Sequence, residues 1–175
     1  AIGVCAVMFS GYLMQVLGWP IPFAIVGTLA LGVALGGLNG LAIVLTRVNA
    51  FVVTLASASL FTGGMLILSK AVPLNQLPPD FGAFGRLMVG PVPALSLTAL
   101  AIGVLLLILF RYMTIGRQLL AVGANGRAAR MSGVPVDRVT VYAHALSGAL
   151  AAAAALLLTS RLGTAMPAGA GDDWL

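Results

Sequence analysis

The sequence predicts an all-α, polytopic transmembrane helix bundle with about five spans. Three observations predict it. First, 61% of the 175 residues are hydrophobic and 7% are charged, against about 45–50% apolar and roughly 25% charged in an ordinary soluble domain. A mean hydropathy of +1.11 leaves too few charges to cover a water-exposed surface of this size. Second, the apolar residues fall in long uncharged runs, and the first charge of the chain is Arg47. Third, runs such as 101–110 and 146–158 lack the apolar/polar alternation of a barrel strand. In lipid the backbone must then satisfy itself within helices.

Charges and prolines set the elements. The first apolar segment runs from Ala1 to about Gly18 and is closed by Trp19, Pro20 and Pro22, with Trp19 as an interfacial anchor. The second runs from Ile21 to Thr46. As a helix it would reach ~39 Å, beyond the ~30 Å of a hydrocarbon core, so it should tilt or protrude. The third runs from Ala50 to Ser69 and ends at Lys70. The 70–93 stretch holds Pro73, Pro78, Pro79, Pro91 and Pro93 with intervening glycines, which forbids a long helix and predicts a loop. The fourth segment runs from Ala94 to Phe110. A polar stretch, 111–138, separates it from the fifth, Val139 to Ser160. The chain opens on Ala1 inside an apolar run and stops soon after Asp172 and Asp173. It is expected to be one membrane domain, 1–175, truncated at both ends, within a bacterial inner membrane.

The basic residues give a sidedness. Arg47, Arg111, Arg117, Arg127, Arg130 and Arg138 lie on one side with Asp137. Lys70, Arg86 and Arg161 lie on the other with Asp80, Asp172 and Asp173. The excess places 111–138 in the cytoplasm and 70–93 outside, facing the periplasm. The same basic residues are scattered and lack interleaved aromatics, so no nucleic-acid partner is expected.

No catalytic site is expected. The sequence holds one His, one Cys and four Asp, without a paired acid and base or a metal-ligand spacing. No phosphate-binding glycine loop of the nucleotide-hydrolase kind occurs, and no cofactor or metal is expected. His144 is ionisable and lies within the fifth segment, which marks it as a functional candidate. With no acid in that span to pair it, a packing histidine with one hydrogen bond is the simpler reading.

Small residues predict close packing. Gly32, Gly36 and Gly40 fall four apart on one face of the second helix, with Asn39 beside them to hydrogen-bond across helices. Ser147, Ala151 and Ala155 repeat the spacing on the fifth helix, as do Gly148 and Ala152. Such stripes serve a compact bundle.

The 111–138 stretch carries the most local information. Asn125 is a suitable N-cap for a short helix from Gly126 to about Ser132, and Gly133 suits the left-handed position that ends it. Ala128 and Met131 share one face, and Arg127 and Arg130 another. So short a helix is unstable alone in water. From these residues alone, a solvated loop and a helix docked on a partner remain equally open.

This stretch closely resembles the cytoplasmic loop of bacterial ABC permeases of the ribose, xylose, arabinose and galactoside type. The matching residues are Thr114, Gly116 and Arg117; Ala121, Gly123 and Asn125; and Ala128, Ala129, Ser132 and Gly133, with Val134 in the place of an isoleucine. The likeness continues through 37–40, 51–55, 165–167 and 169–171. Relatives often carry a Glu after the Asn where this chain has Gly126. The helix thereby loses an acidic first-turn residue, and Arg127 adds a cation where the helix dipole disfavours one. The resemblance implies a monosaccharide importer without enzymatic activity of its own. Its partners would be a cytoplasmic ABC ATPase, a periplasmic sugar-binding protein and a second permease subunit, forming a homodimer. Asn125, Arg127, Ala128, Ala129, Arg130, Met131, Ser132 and Gly133 would then form the coupling helix that docks on the ATPase. The alternatives are a branched-chain amino acid permease of the same architecture and, from another class, a secondary transporter or channel. The latter would need ionisable residues at the membrane midplane, and His144 alone lies clearly inside a span.

Overall fold

The computed structural model describes residues 2–69, 72, 74 and 77–165. Seven helices run in the order α1 (Ile2–Gln15), α2 (Ile21–Thr46), α3 (Ala50–Ser69), α4 (Pro79–Arg86), α5 (Ala94–Tyr112), α6 (Thr114–Met131) and α7 (Val136–Leu162). A two-residue hairpin, β1 (Met88–Val89) and β2 (Val92–Pro93), turns at Gly90 between α4 and α5. Lys70, Pro73, Asp172 and Asp173 lie outside the described residues.

Four helices, α2, α3, α5 and α7, are long and apolar enough to cross a membrane, and α1 is a shorter apolar helix. The expected all-α bundle is therefore present. Large apolar side chains project from it, among them Phe23, Leu45, Phe51, Leu60, Ile67, Leu68 and Leu105. Such a surface suits acyl chains and not water. The chain is a multi-pass membrane protein.

The order of burial differs from the order of length. Helix α1 has nine buried residues over its fourteen, including Val4, Cys5, Ala6, Val7, Met8, Leu13 and Met14. Helix α3 has none, and α5 has only Ala94. The shortest apolar helix is thus the innermost, packed against α2 and α7. Its ~21 Å falls short of the ~30 Å hydrocarbon core, which its packing against α2, α3 and α7 makes tolerable. Three buried hydroxyls in this interior are satisfied within their own helices. Ser10 donates to Val7 O at 2.8 Å, Thr28 to Ala24 O at 2.7 Å and Thr159 to Ala155 O at 2.8 Å.

Local chemistry sets the helix ends. Helix α2 starts on Pro20 and Pro22, whose fixed φ suits a first turn. It stops at Arg47, which takes a left-handed conformation (φ 55°) and donates its N–H to Ile43 O. Asn49 Oδ1 accepts the Phe51 N–H at 2.9 Å, opening α3. Helix α7 ends on Gly163 at φ 69°.

Two segments differ from expectation. Within the 70–93 loop the structure has a short helix, α4, and the hairpin. Pro78 and Pro79 start α4 instead of preventing it, because a first turn needs no N–H from them. Helix α4 seats on α7, where Ser160 Oγ donates to Phe81 O at 2.7 Å and both residues are buried. Gly85 lies so close to the backbone of Ser160 and Arg161 that no side chain fits between. The second difference is in 111–138. Helix starts at Thr114 and runs to a break at Asn125 (φ −158°, ψ 97°), where a second limb begins. The upstream limb forms because Gly116 packs directly on the Leu109–Phe110 backbone, folding α6 back on α5. Leu119 and Val122 then half-bury while Arg117 stays in solvent.

Candidate functional site

Two features stand out: a capped six-residue limb at the arginine-rich end, and a small-residue seam with a cavity of mixed polar and apolar lining beside it.

The limb is closed at both ends by the chain's own chemistry. Asn125 Oδ1 accepts the N–H groups of Arg127 and Ala128, both at 3.1 Å. These would otherwise be orphan donors of the first turn. At the other end Gly133 is left-handed (φ 80°). The Gly133 N–H reaches Arg130 O at 3.1 Å and the Val134 N–H reaches Ala129 O at 3.0 Å. That double return is a Schellman closure, which satisfies two terminal carbonyls. Ser132 adds a bond from Oγ to Ala128 O. Replacing Asn125 by Ala should cost about 1 kcal/mol through the lost cap. Gly133→Ala should cost a similar ~1 kcal/mol through left-handed strain. Faster hydrogen exchange at the amides of 127–130 in either variant checks this, and unchanged exchange would count against the caps.

The limb has an inner and an outer face. Ala129 is buried. Ala128, Arg127 and Arg130 are exposed, and Met131 is 87% exposed. Arg130 Nη2 meets Asp137 Oδ1 at 2.6 Å, tying the limb to the first turn of α7. Both partners are largely in solvent, so the pair adds little stability. Arg47, Arg130 and Asp137 line one cavity of about 480 Å³ with Ile43, Val44 and Thr140. The end of α2 and the start of α7 therefore share this end of the bundle. Arg86 and Arg161 share the opposite end, beside a second cavity of about 360 Å³.

The seam joins α2 and α7 antiparallel. A Cβ on Gly32 would stand 2.6 Å from Ala152 Cβ, and one on Gly40 would stand 2.7 Å from Val141 Cα. Between them, Gly36 packs on the His144 carbonyl and on Gly148 Cα, and Gly148 packs on the Gly32 carbonyl. Backbones meet here without intervening side chains. Ser147 and Ala151 lie off the seam and line the cavity beside it.

Asn39 is placed differently from its sequence expectation. It is 8% exposed, yet it makes no cross-helix hydrogen bond among the described residues. It faces a cavity of about 290 Å³ lined by α1, α2, α3 and α7. His144 lines the same cavity, and its Nδ1 lies 2.9 Å from Thr140 O. Thr54 and Ser57 of α3 complete the polar wall. Sequence reading passed over these two because isolated hydroxyls in an apolar helix carry no spacing signal. No cluster of metal-ligating side chains occurs among the described residues.

A bundle of apolar helices built on backbone-to-backbone seams, with arginines gathered at one end, defines an integral membrane protein. Over residues 1–175 the chain matches the family described as the branched-chain amino acid transport system / permease component, and it belongs to that family. It is similar to the autoinducer 2 import system permease protein LsrD of Salmonella typhimurium, with 34% identity over 170 residues, covering 94% of this chain and 51% of that protein. The ribose import permease protein RbsC of Bacillus subtilis is 36% identical over 138 residues, covering 78% and 42%. The autoinducer 2 import system permease protein LsrC of an Enterobacter species is 34% identical over 167 residues, covering 93% and 47%. The chain spans about half the length of these relatives. No solved structure matches it. Its family and its apolar spans place it in the bacterial inner membrane.

Proposed function

We propose that the protein carrying this chain is the membrane-spanning permease subunit of an ATP-driven, binding-protein-dependent importer of a monosaccharide. The limb from Gly126 to Met131 is its coupling helix. The observation that carries this is Met131. A large apolar side chain stands almost fully in solvent at the arginine-rich end, on a limb closed by a cap at each end. An exposed apolar knob rimmed by cations on a rigid mount is the form of a docking element. Its occupant is a cytoplasmic ATPase, which supplies the nucleotide chemistry that this chain has no residues for. A periplasmic sugar-binding protein delivers solute at the end bearing Arg86 and Arg161, and a second permease subunit completes the pathway. The ribose relative supports a sugar as cargo over a branched-chain amino acid.

The test is Arg127→Glu together with Arg130→Glu in the full-length subunit, reconstituted with its ATPase and binding protein. We expect solute uptake to fall at least about tenfold while nucleotide hydrolysis continues, as for loss of a few kcal/mol of interfacial charge pairing. Asp137→Asn breaks the ion pair alone and should leave uptake within about twofold. Wild-type uptake in the double variant would overturn the coupling assignment. A cysteine at Asn125 that labels from outside intact spheroplasts would reverse the sidedness.

A further inference from the structure

We propose that the cavity beside the α2–α7 seam binds the solute itself: a neutral, polyhydroxylated molecule recognised by Asn39, Thr54, Ser57, His144 and Ser147. The proposal deepens the functional assignment above and rests on it for the direction and driving force of transport.

The argument begins with Asn39. The residue is 8% exposed inside an apolar bundle, and its amide, which keeps some accessible surface, has no protein partner among the described residues. An amide so placed, without compensation, is costly. It borders the cavity, so whatever enters there supplies the missing hydrogen bonds.

The other polar groups set what that molecule must be. Thr54 Oγ1 donates to Ala50 O at 2.9 Å, and Ser57 Oγ donates to Thr54 O at 3.0 Å. Both hydroxyl protons are committed to backbone, and each oxygen keeps lone pairs for a donor. His144 Nδ1 faces the Thr140 carbonyl at 2.9 Å. A carbonyl has no proton to give, so Nδ1 carries it. In that tautomer Nε2 is left as an acceptor. Ser147 and the Asn39 amide can each donate and accept. The polar part of the wall therefore has more acceptors than donors, and a cluster of hydroxyl groups complements it.

Charge gives the second constraint. Among the described residues, no acid, lysine or arginine lines the cavity. An amino acid would have to leave both its ammonium and its carboxylate unpaired in a site of low dielectric, at a cost far above that of a hydroxyl. A neutral solute has no such penalty. Size restricts the solute to a small molecule, since about 290 Å³ lies just below the ~300–1,000 Å³ range of small-molecule pockets. Phe61 on the same wall offers an apolar face to the C–H side of a sugar ring.

Position agrees as well. His144 lies eight residues into α7, ~12 Å from its start at the arginine-rich end. The cavity is therefore within the membrane, between the two charged ends. Solute held there has left one side and not reached the other.

The experiment has two independent arms in the full-length subunit. In the first, Ser147→Cys is labelled with a water-soluble maleimide, with D-ribose, D-galactose or L-leucine present at saturation. We expect labelling to occur, and at least one of the two sugars to slow it several-fold while leucine does not. A cysteine that never reacts, as when a further helix of the protein fills the cavity, overturns the proposal. Equal labelling with all three solutes overturns it too, and protection by leucine alone reassigns the site to an amino acid and overturns it. In the second arm, Asn39→Leu is compared with Asn39→Ser in reconstituted uptake. Leu should lower uptake about tenfold, with Ser recovering much of it, as expected for one lost hydrogen bond to solute. Equal uptake by both variants overturns the role of Asn39. The labelling arm needs no ATPase. Sugar protection without ATP-driven uptake would therefore leave the site standing and remove the proposed importer function.

Discussion

Gly36→Leu should prevent the protein from accumulating in the membrane, or lower its melting temperature in detergent by about 10 °C or more. The Gly36 position meets the His144 carbonyl and Gly148 Cα. Both are backbone, so neither can rotate aside as a side chain could. A leucine must push α2 and α7 apart along their whole contact, the most extensive in the bundle. Overpacking a core costs ~1–3 kcal/mol when side chains can yield, and here the penalty lies at or beyond that upper end. Against a typical stability of ~5–15 kcal/mol this is a large fraction. The adjacent Gly37→Ala is the control. Its added Cβ would sit 4.0 Å from Ala145 Cβ, an ordinary contact. Alanine there should be neutral, or stabilising by up to about 1 kcal/mol through helix propensity. Thermal melts of the two variants by fluorescence-detected size exclusion decide it. Equal melts would show that the seam is not where the bundle is held.

Met131→Glu should abolish coupled uptake while leaving the melting temperature within about 2 °C of wild type. The side chain is 87% exposed, so its replacement removes almost no internal packing. Solvated surface changes of this kind usually stay within ~0.5 kcal/mol. If a partner covers Met131, a buried carboxylate there has no counterion and binding falls by several kcal/mol. Uptake should then drop by two orders of magnitude or so, with ATPase co-purification lost in parallel. Met131→Leu preserves the apolar volume and should retain most activity. Unchanged uptake in the glutamate variant would mean that nothing docks on this face. A variant that fails to fold would show that Met131 is a core residue of the assembled subunit.

What could be read in advance divides along a physical line. The apolar runs, the N-cap at Asn125 and the closing glycine at 133 are local features, and each is stated by a few adjacent residues. The four-residue glycine spacing in α2 announced a close neighbour but not which helix. The seam with α7 joins residues more than a hundred positions apart. Faces were largely illegible, because lipid and protein interior are equally apolar and an inward residue looks like an outward one. Hence α1 gave no sign that it is the most enclosed helix, or α3 that it is the least. Asn39 marks a related limit. A polar residue in a span announces a need for a partner, and its sequence does not say whether that partner is protein or cargo. The pairing of Gly85 with Ser160 and the upstream limb of α6 depend on how the chain folds back. Neither is stated by its own neighbours.

Helix α7 is gripped at both extremities. The Arg130–Asp137 pair and the Gly133 turn join its first turn to the capped limb, and Ser160 and Gly85 bind its last turns to α4. Its 27 residues make a rod of ~40 Å. Such a rod pivots more readily than it compresses, and the glycine contact near its middle is a natural fulcrum. A tilt of only ~5° about that point would swing each extremity by close to ~2 Å, in opposite senses. A nudge on Met131 would therefore arrive, reversed, beneath Phe81 on the far side of the bilayer.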